Sequence, residues 1–158
     1  MHFTRRTILR NSLALGAASL LPLRSFAAQS LETATARLDT LSDGNLVLPL
    51  AFVSPEAGVE AKLAELGITG PQVEPPCNVT LYRDGTNTVL FDVGAGPDFM
   101  PSAGKLQEAL DTIGVAPEEI THVVFTHAHP DHLWGVLDDF DEPLFANATH
   151  LIGRAELD

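Results

Sequence analysis

The 158-residue chain has 21 acidic and nine basic residues, and its formal net charge is −12 at neutral pH. A surface this negative repels phosphate backbones and anionic headgroups, which argues against nucleic acids and membrane surfaces as partners. The single cysteine, Cys77, excludes an internal disulfide bond, so the fold depends on an apolar core, on metal ions or on both. Cys77 lies in an apolar, strand-like run, which predicts a buried small side chain rather than a metal ligand or a nucleophile.

The first 27 residues are organised like an export signal. Arg5 and Arg6 precede a mildly apolar stretch from Ser12 to Leu23, and a small-x-small cleavage sequence ends at Ala27. The arginine pair resembles that of a twin-arginine signal. A membrane anchor fits less well, because a bilayer span needs about 20 apolar residues. We therefore expect residues 1–27 to be a signal peptide that engages the export machinery. The remaining domain, 28–158, is then periplasmic or secreted, with no stable membrane association.

The segment after this signal is predicted to begin with strands and a helix. Residues 34–41 and 45–50 read as two strands joined by a turn at Ser42-Asp43-Gly44. Ser54-Pro55-Glu56 has the pattern of a helix start, and Gly67 that of its end. Residues 51–76 form either a lid over a site or a packed surface helix with a loop, and the sequence leaves both possibilities open.

A predicted hairpin and a predicted helix come next. Residues 78–82 and 88–93 flank a turn at 83–87. Residues 103–113 carry apolar side chains at helical spacing, and Gly114 ends that helix. Pro117-Glu118-Glu119 is predicted as a turn or a short helical piece.

The last part of the chain is predicted to continue the alternation. His122–Phe125 is a short buried strand that leads directly into a histidine-rich segment. Residues 144–145 and 150–152 read as further strands, and residues 153–158 as the opening of a helix. Because this alternation continues to residue 158, we expect the chain to be a fragment or a truncated product.

The histidine-rich segment carries the chemistry. His127, His129, Asp131 and His132 are four potential metal ligands within six residues, which chance alone would produce in about one such chain in two thousand. In an extended segment residues i and i+2 point to one side, so His127 and His129 can reach one ion. Pro130 breaks this alternation, and Asp131 and His132 can then face a neighbouring position. Imidazole and carboxylate ligands suit zinc, and also iron or manganese.

Other polar residues in this region are predicted to have no metal role. His122 and His150 are isolated, and each is interpreted as a packing or surface residue. The acidic run at 138–142 is interpreted as a solvated turn. Gly135 is expected to let the backbone turn away behind the histidines.

This segment resembles the signature of the metallo-β-lactamase superfamily, His-x-His-x-Asp-His, here after a strand that ends in Thr126 and with Gly135 behind it. Residues 91–96 resemble the Asp-x-Gly element that precedes the signature in that family. The resemblance covers residues 34–158, and the branch it is most similar to contains lactonases and methyl parathion hydrolases. It implies an α/β (α+β) fold in which two mixed sheets with outer helices form an αβ/βα sandwich. This chain would supply the amino-terminal αβ half and leave an apolar face uncovered.

The resemblance also implies residue roles. His127 and His129 would belong to a first metal site, Asp131 and His132 to a second, and Asp92 would support both from beneath. The family further uses a histidine, a bridging aspartate and a last histidine that lie many tens of residues downstream. The full-length parent is expected to bind two zinc ions, and this chain would supply half of the ligand set.

The implied activity is hydrolysis of a small molecule such as a lactone, ester, phosphotriester or β-lactam by a metal-bound hydroxide. Asp131 would also orient the nucleophile or receive its proton. The isolated chain is expected to be unstable or inactive, because catalytic zinc sites usually use three protein ligands. Two alternatives remain: an iron-dependent sulfur dioxygenase of the same fold, and a non-catalytic exported protein that binds metal loosely. Metal content distinguishes the dioxygenase from the hydrolase, and dialysis against a weak chelator distinguishes a preorganised site from a loosely binding cluster.

Overall fold

A computed structural model describes residues 29–54 and 58–157. The predicted signal peptide at 1–27 and the predicted helix start at Pro55-Glu56 lie outside the described residues, as does Asp158. Across the described part of the chain, no helix has the length and apolar character needed to span a bilayer.

A six-stranded mixed sheet forms the frame of the molecule. In spatial order its strands are β1 (Gln29–Glu32), β2 (Arg37–Asn45), β5 (Pro76–Arg83), β6 (Thr88–Phe91), β7 (His122–Phe125) and β8 (Thr149–Ile152). The pairs from β1 to β6 are antiparallel, and β6, β7 and β8 run parallel. A separate two-stranded ladder joins β3 (Leu48–Pro49) to β4 (Gln72–Val73).

The helices are short. They are α1 (Leu50–Val53), α2 (Val59–Glu65), α3 (Leu106–Thr112), α4 (Pro130–Leu133) and 3-10 turns at Pro117–Glu119, Trp134–Val136 and Arg154–Glu156. α2 ends before Gly67, as predicted, and contains no buried residue. Both interpretations of this segment stay open, because a helix with no buried residue is neither packed into the domain nor closed over a site.

The core lies between one face of the sheet and α3. Leu81, Leu90 and Val123 alternate with outward-facing residues along β5, β6 and β7, and all three are fully buried. α3 contributes Leu106 and Leu110, which are four residues apart and therefore share one side of the helix. Burying each of these side chains contributes about 1.5–3 kcal/mol, so this packing fixes the strand ends that lead into the site.

The opposite face of the sheet is apolar and partly exposed. Phe91, Val124 and Leu151 are cross-strand neighbours on β6, β7 and β8. Phe91 is 37% exposed and Leu151 is 47% exposed. An uncovered apolar face of this kind is what the half-sandwich interpretation predicts.

The predicted hairpin, the helix before Gly114 and the strands at 122–125 and 150–152 are confirmed. The predicted turn at Ser42-Asp43-Gly44 is wrong. β2 runs through these residues with a bulge between Ser42 and Gly44 and stays paired with β5. The cause is the Asp43 side chain, which is fully buried and accepts backbone hydrogen bonds from two distant segments.

Two predicted strands are wrong as well. Residues 45–50 split between the end of β2, the two-residue β3 and the start of α1. Residues 144–145 form a turn, and Phe145 is nevertheless fully buried in the core. Both runs are apolar because they pack against the domain, and a short apolar run does not by itself distinguish a strand from a packed turn.

Candidate metal centre

The candidate site begins where two parallel strands end. β6 ends at Phe91 and β7 at Phe125, so Asp92 and Thr126 emerge at the same edge of the sheet. The backbone N–H of Asp92 donates to the carbonyl of Val124 at 2.9 Å, which holds the two strand ends together. Loops at the carboxyl ends of parallel strands are the usual position of ligand sites in α/β folds.

The four predicted ligands lie together as two pairs. Nε2 of His127 is 3.1 Å from Nδ1 of His129. Nε2 of His132 is 3.3 Å from Oδ2 of Asp131. The pairs adjoin, because the ring centroids of His127 and His132 are 4.0 Å apart. Within residues 29–54 and 58–157, however, no three histidine, cysteine, aspartate or glutamate side chains are arranged to hold one ion together.

Asp92 lies beneath both pairs. Its side chain is buried, with 7% of the residue exposed. One carboxylate oxygen accepts the backbone N–H of Thr126 at 2.7 Å, and the other lies 2.9 Å from Nδ1 of His132. The backbone of Asp92 has a φ of +65°, a left-handed conformation that is uncommon outside glycine and that occurs at functional sites.

Thr126 connects Asp92 to the other histidine pair. Its hydroxyl donates to the carboxylate of Asp92, at 3.0 Å from Oδ1 and 2.8 Å from Oδ2. The same hydroxyl oxygen is 3.0 Å from Nδ1 of His127. In sequence terms Thr126 was only the last residue of a strand, so its side-chain contacts were not predicted.

Two further contacts hold the histidine loop and were also missed. The Glu156 carboxylate accepts the backbone N–H of Ala128 at 3.0 Å. Gly135 packs so closely that a Cβ there would lie 2.1 Å from the carbonyl oxygen of Val93. A glycine is therefore needed here because the backbone of Val93 comes so close, and not because the backbone turns, as the sequence had suggested. An isolated glutamate gives no sequence signal for a contact of this kind.

The turn at 92–96 is fixed from below by Asp43. The Asp43 carboxylate accepts the backbone N–H groups of Ala95 at 2.8 Å, Gly104 at 3.2 Å and Leu106 at 2.9 Å. A Cβ at Gly94 would lie 2.4 Å from the carboxyl carbon of Asp43, so only glycine fits there. Burial raises the pKa of Asp43, and these hydrogen bonds oppose that shift.

Two clefts meet at Asp131. An apolar cleft of about 580 Å³ is bordered by residues 46–49, Phe52, Phe99 and Met100, with His129 and Asp131 at its end. A second cleft of about 410 Å³ lies on the other side and is bordered by Cys77, Asp92 and His132. Another cavity, of about 880 Å³, is bordered by residues 67–75 and lies away from the histidines.

Cys77 is half-buried rather than fully buried. Burial, followed by the negative charges of Asp43 and Asp131, raises the pKa of its thiol to about 11. The thiol is therefore neutral near pH 7 in the ion-free protein, which fits the prediction of an unreactive side chain.

The residues predicted to have no metal role lie outside the two pairs. Nδ1 of His122 is 2.9 Å from the hydroxyl of Thr121, at the start of β7. His150 stacks against Phe125 with a centroid distance of 6.1 Å. The acidic run forms a turn in which the Asp138 carboxylate accepts the N–H groups of Phe140 and Glu142.

Comparison with known proteins agrees with this fold. Residues 73–138 match the metallo-beta-lactamase superfamily. Metallo-beta-lactamase domain-containing protein 1 of Mus musculus is 44% identical over 54 residues, which cover 31% of this chain and 21% of that protein. Its counterpart in Xenopus laevis is 46% identical over 56 residues, covering 35% of this chain and 22% of that protein.

Solved structures extend the likeness to most of the described chain. AidC, a dizinc quorum-quenching lactonase in complex with a product, is 25% identical with a TM-score of 0.75 and covers 82% of this chain. The hydrolase AbOPH of the beta-lactamase superfamily is 25% identical with a TM-score of 0.72 and also covers 82%. The family match covers residues 73–138, and over most of the described chain the fold is that of these two proteins of known structure. This mixed α/β fold corresponds to about half of such a protein, since the matches span 46% and 45% of those two chains.

Proposed function

We propose that this chain carries one half of the metal centre of a metal-dependent hydrolase. His127 and His129 hold one ion, and Asp131 and His132 hold a second. The observation that carries the proposal is the pairing of donor atoms, at 3.1 Å between the first two residues and 3.3 Å between the second two. Residues 28–158 form the domain that bears this site.

The spacing and chemistry of these atoms fit zinc. Nitrogen ligands lie 2.0–2.1 Å from a tetrahedral zinc ion, so two of them on one ion are about 3.4 Å apart. Both observed separations are within a few tenths of an ångström of that value. AidC, which the chain resembles, is described as a dizinc enzyme. The same donor types would also accept iron or manganese.

The residues around the pairs have distinct tasks. Two bound ions would supply Lewis acidity and lower the pKa of water toward neutrality. Asp131 stands between the two clefts, where its carboxylate can orient a water molecule or take up its proton. Asp92, beneath the pairs, keeps His132 in one orientation through the contact at Nδ1.

The apolar cleft supports a proposal for the class of substrate. Its walls are apolar side chains, and among the described residues that border it only His129 and Asp131 are titratable; both belong to the site itself. With a net charge of −12, the chain disfavours anionic substrates. We therefore propose an uncharged substrate with an apolar arm, such as an acylated lactone, an ester or a phosphotriester. The product bound to AidC, N-hexanoyl-L-homoserine, contains an acyl arm of this kind.

Metal analysis of single-site variants tests the centre. After the natural full-length protein is loaded with zinc, His127→Ala and Asp131→Ala should each reduce the bound zinc by about one equivalent. His122→Ala and His150→Ala are matched controls, because these histidines lie outside both pairs, and should retain the zinc of the unmodified chain. Equal losses in all four variants would contradict the proposal. Retention of one iron ion instead of zinc would favour the dioxygenase alternative.

Activity tests the substrate class. The natural full-length protein should hydrolyse N-hexanoyl homoserine lactone with a higher kcat/KM than a lactone without the acyl arm. Phe99→Ala should remove most of that preference, because Phe99 borders the apolar cleft. Equal rates on the two lactones would contradict an apolar subsite. The 158-residue chain alone is expected to be inactive on both.

Export is a separate proposal that depends only on residues 1–27. Replacing Arg5 and Arg6 by lysine should retain the precursor in the cytoplasm if a twin-arginine route is used. Cell fractionation measures the ratio of precursor to processed protein. An unchanged ratio would contradict this route without bearing on the metal centre.

A further inference from the structure

The hydrogen-bond chain from Asp92 to His127 has only one consistent direction. An ionised carboxylate can only accept, so the single hydrogen of the Thr126 hydroxyl points at Asp92, 2.8 Å from Oδ2. The hydroxyl oxygen is then an acceptor toward Nδ1 of His127, 3.0 Å away. Nδ1 must therefore carry the hydrogen of the neutral ring, and Nε2 must present a lone pair.

We propose that Thr126 is a positioning residue that fixes which nitrogen of His127 faces the site. The use of this lone pair for metal binding rests on the proposed function, whereas the orientation of the ring does not. The ring of His132 is oriented by Asp92 directly, because its Nδ1 lies 2.9 Å from Asp92 and its Nε2 faces Asp131. One carboxylate thus orients one ligand of each pair, directly in one case and through Thr126 in the other.

His129 differs from the other two histidines. Its Nδ1 is 3.1 Å from Nε2 of His127, and because that nitrogen is an acceptor, Nδ1 of His129 is the donor. A metal ion between these atoms would need both lone pairs. His129 is therefore the one ligand of the first pair whose hydrogen has to move to the other ring nitrogen when an ion binds.

The chain contains its own control at the opposite end of β7. Thr121 and His122 form the same dipeptide, with a distance of 2.9 Å between the hydroxyl and Nδ1. There the hydroxyl donates to the carbonyl of Thr88 instead of a carboxylate, and it accepts the N–H of the same residue. His122 lies outside the two candidate pairs, so its ring orientation should not affect binding at the proposed metal centre.

Ring nitrogens can be assigned directly in the metal-free chain. Long-range proton–nitrogen spectra of the ¹⁵N-labelled chain, recorded at about pH 8.5 where imidazole is ordinarily neutral, report which nitrogen is protonated. The Nδ1–H form should dominate at His127 in the unmodified protein. Thr126→Val should lower the ratio of Nδ1–H to Nε2–H at His127 at least threefold, and Thr126→Ser should restore it. Thr121→Val should change only His122.

Two results would overturn the inference. One is a dominant Nε2–H form at His127 in the unmodified chain, which needs no variant and is independent of any folding defect. The other is an unchanged ratio in a folded Thr126→Val protein.

The zinc affinity of the natural full-length protein provides the second measurement. Thr126→Val should weaken zinc binding about tenfold, as expected for loss of a group that orients a ligand, while Thr126→Ser stays within about twofold. Thr121→Val should not change zinc affinity. A shifted His127 ratio with unchanged affinity would support the positioning role and contradict the proposed metal centre, so the two proposals fail separately.

Discussion

Asp43 and Asp92 are buried carboxylates that act on one turn, residues 92–96, from different sides. Asp43 accepts backbone N–H groups from Ala95, Gly104 and Leu106. Asp92 accepts hydrogen bonds from the hydroxyl of Thr126 and lies within hydrogen-bond distance of His132. A carboxylate bonded to main chain fixes where a loop runs. One bonded to functional side chains determines how those side chains point, so these two buried carboxylates have different tasks.

The largest expected effect is the loss of stability when Asp43 is replaced. Asp43→Ala should lower the free energy of unfolding by about 3 kcal/mol or more, because at least three N–H groups, two of them in buried contacts, lose a charged acceptor. Urea unfolding measures the change.

Asp84 is the matched control. Its carboxylate also accepts backbone N–H groups, from Thr86 and Asn87, but in an exposed turn. Asp84→Ala should therefore cost clearly less stability than Asp43→Ala. Equal losses would show that the burial of Asp43 is not what makes it important.

The next largest effect on stability is expected at Gly135, which packs against the same turn. Gly135→Ala would place a Cβ 2.1 Å from the carbonyl oxygen of Val93 and should destabilise the fold by about 1–3 kcal/mol. Gly153→Ala is the control, since a Cβ there has nothing within 4 Å, and its melting temperature should not change. A melting temperature of Gly135→Ala that matches the unmodified chain would contradict the close packing described here.

Replacement of Asp92 sharpens the comparison, because stability and site should respond differently. Asp92→Asn should weaken zinc binding about 10–100-fold, as for other groups that orient metal ligands. It should lower the free energy of unfolding by only about 1 kcal/mol, because few backbone groups depend on it. Calorimetric zinc titration and urea unfolding of one preparation give both values. A stability loss as large as that of Asp43→Ala, with zinc affinity retained, would reverse the assignment of tasks.

The smallest effect is on Cys77, whose pKa is raised to about 11 by burial and then by the charges of Asp43 and Asp131. The thiolate is the reactive form, so alkylation of the metal-free chain should accelerate about tenfold per pH unit and level off near pH 11. Asp43→Asn, if folded, should raise the rate at pH 8 a few-fold by removing a negative charge. A plateau near pH 9 would mean that the thiol is neither buried nor close to these carboxylates.

Local patterns predicted much of the fold. The hairpin at 78–91, α3 with its stop at Gly114, and β7 all follow from apolar periodicity and turn residues. The turn at 42–44 was wrong because Ser-Asp-Gly is a turn sequence by local preference, while its actual role depends on Ala95 and Leu106, more than 50 residues away. No local rule reports a partner at that distance.

The sequence likewise predicted one part of the candidate site and missed another. The four ligand residues are visible in the sequence because they are close together, and the structure brings their side chains into two adjoining pairs. Thr126 and Glu156 were missed, because a threonine at a strand end and a glutamate in a short helix are ordinary residues until their contacts are known. The export signal and the roles of the metal ligands remain predictions.

The positive φ of Asp92 restricts what can occupy this position through evolution. Glycine, asparagine and aspartate adopt that backbone conformation most readily, and of these only aspartate carries a negative charge. In a saturation library at this codon these three should therefore give the more stable chains, because other residues pay about 1–2 kcal/mol there, and only aspartate should give a competent site. Glycine and asparagine at position 92 are therefore compatible with the fold, but selection for activity would remove both.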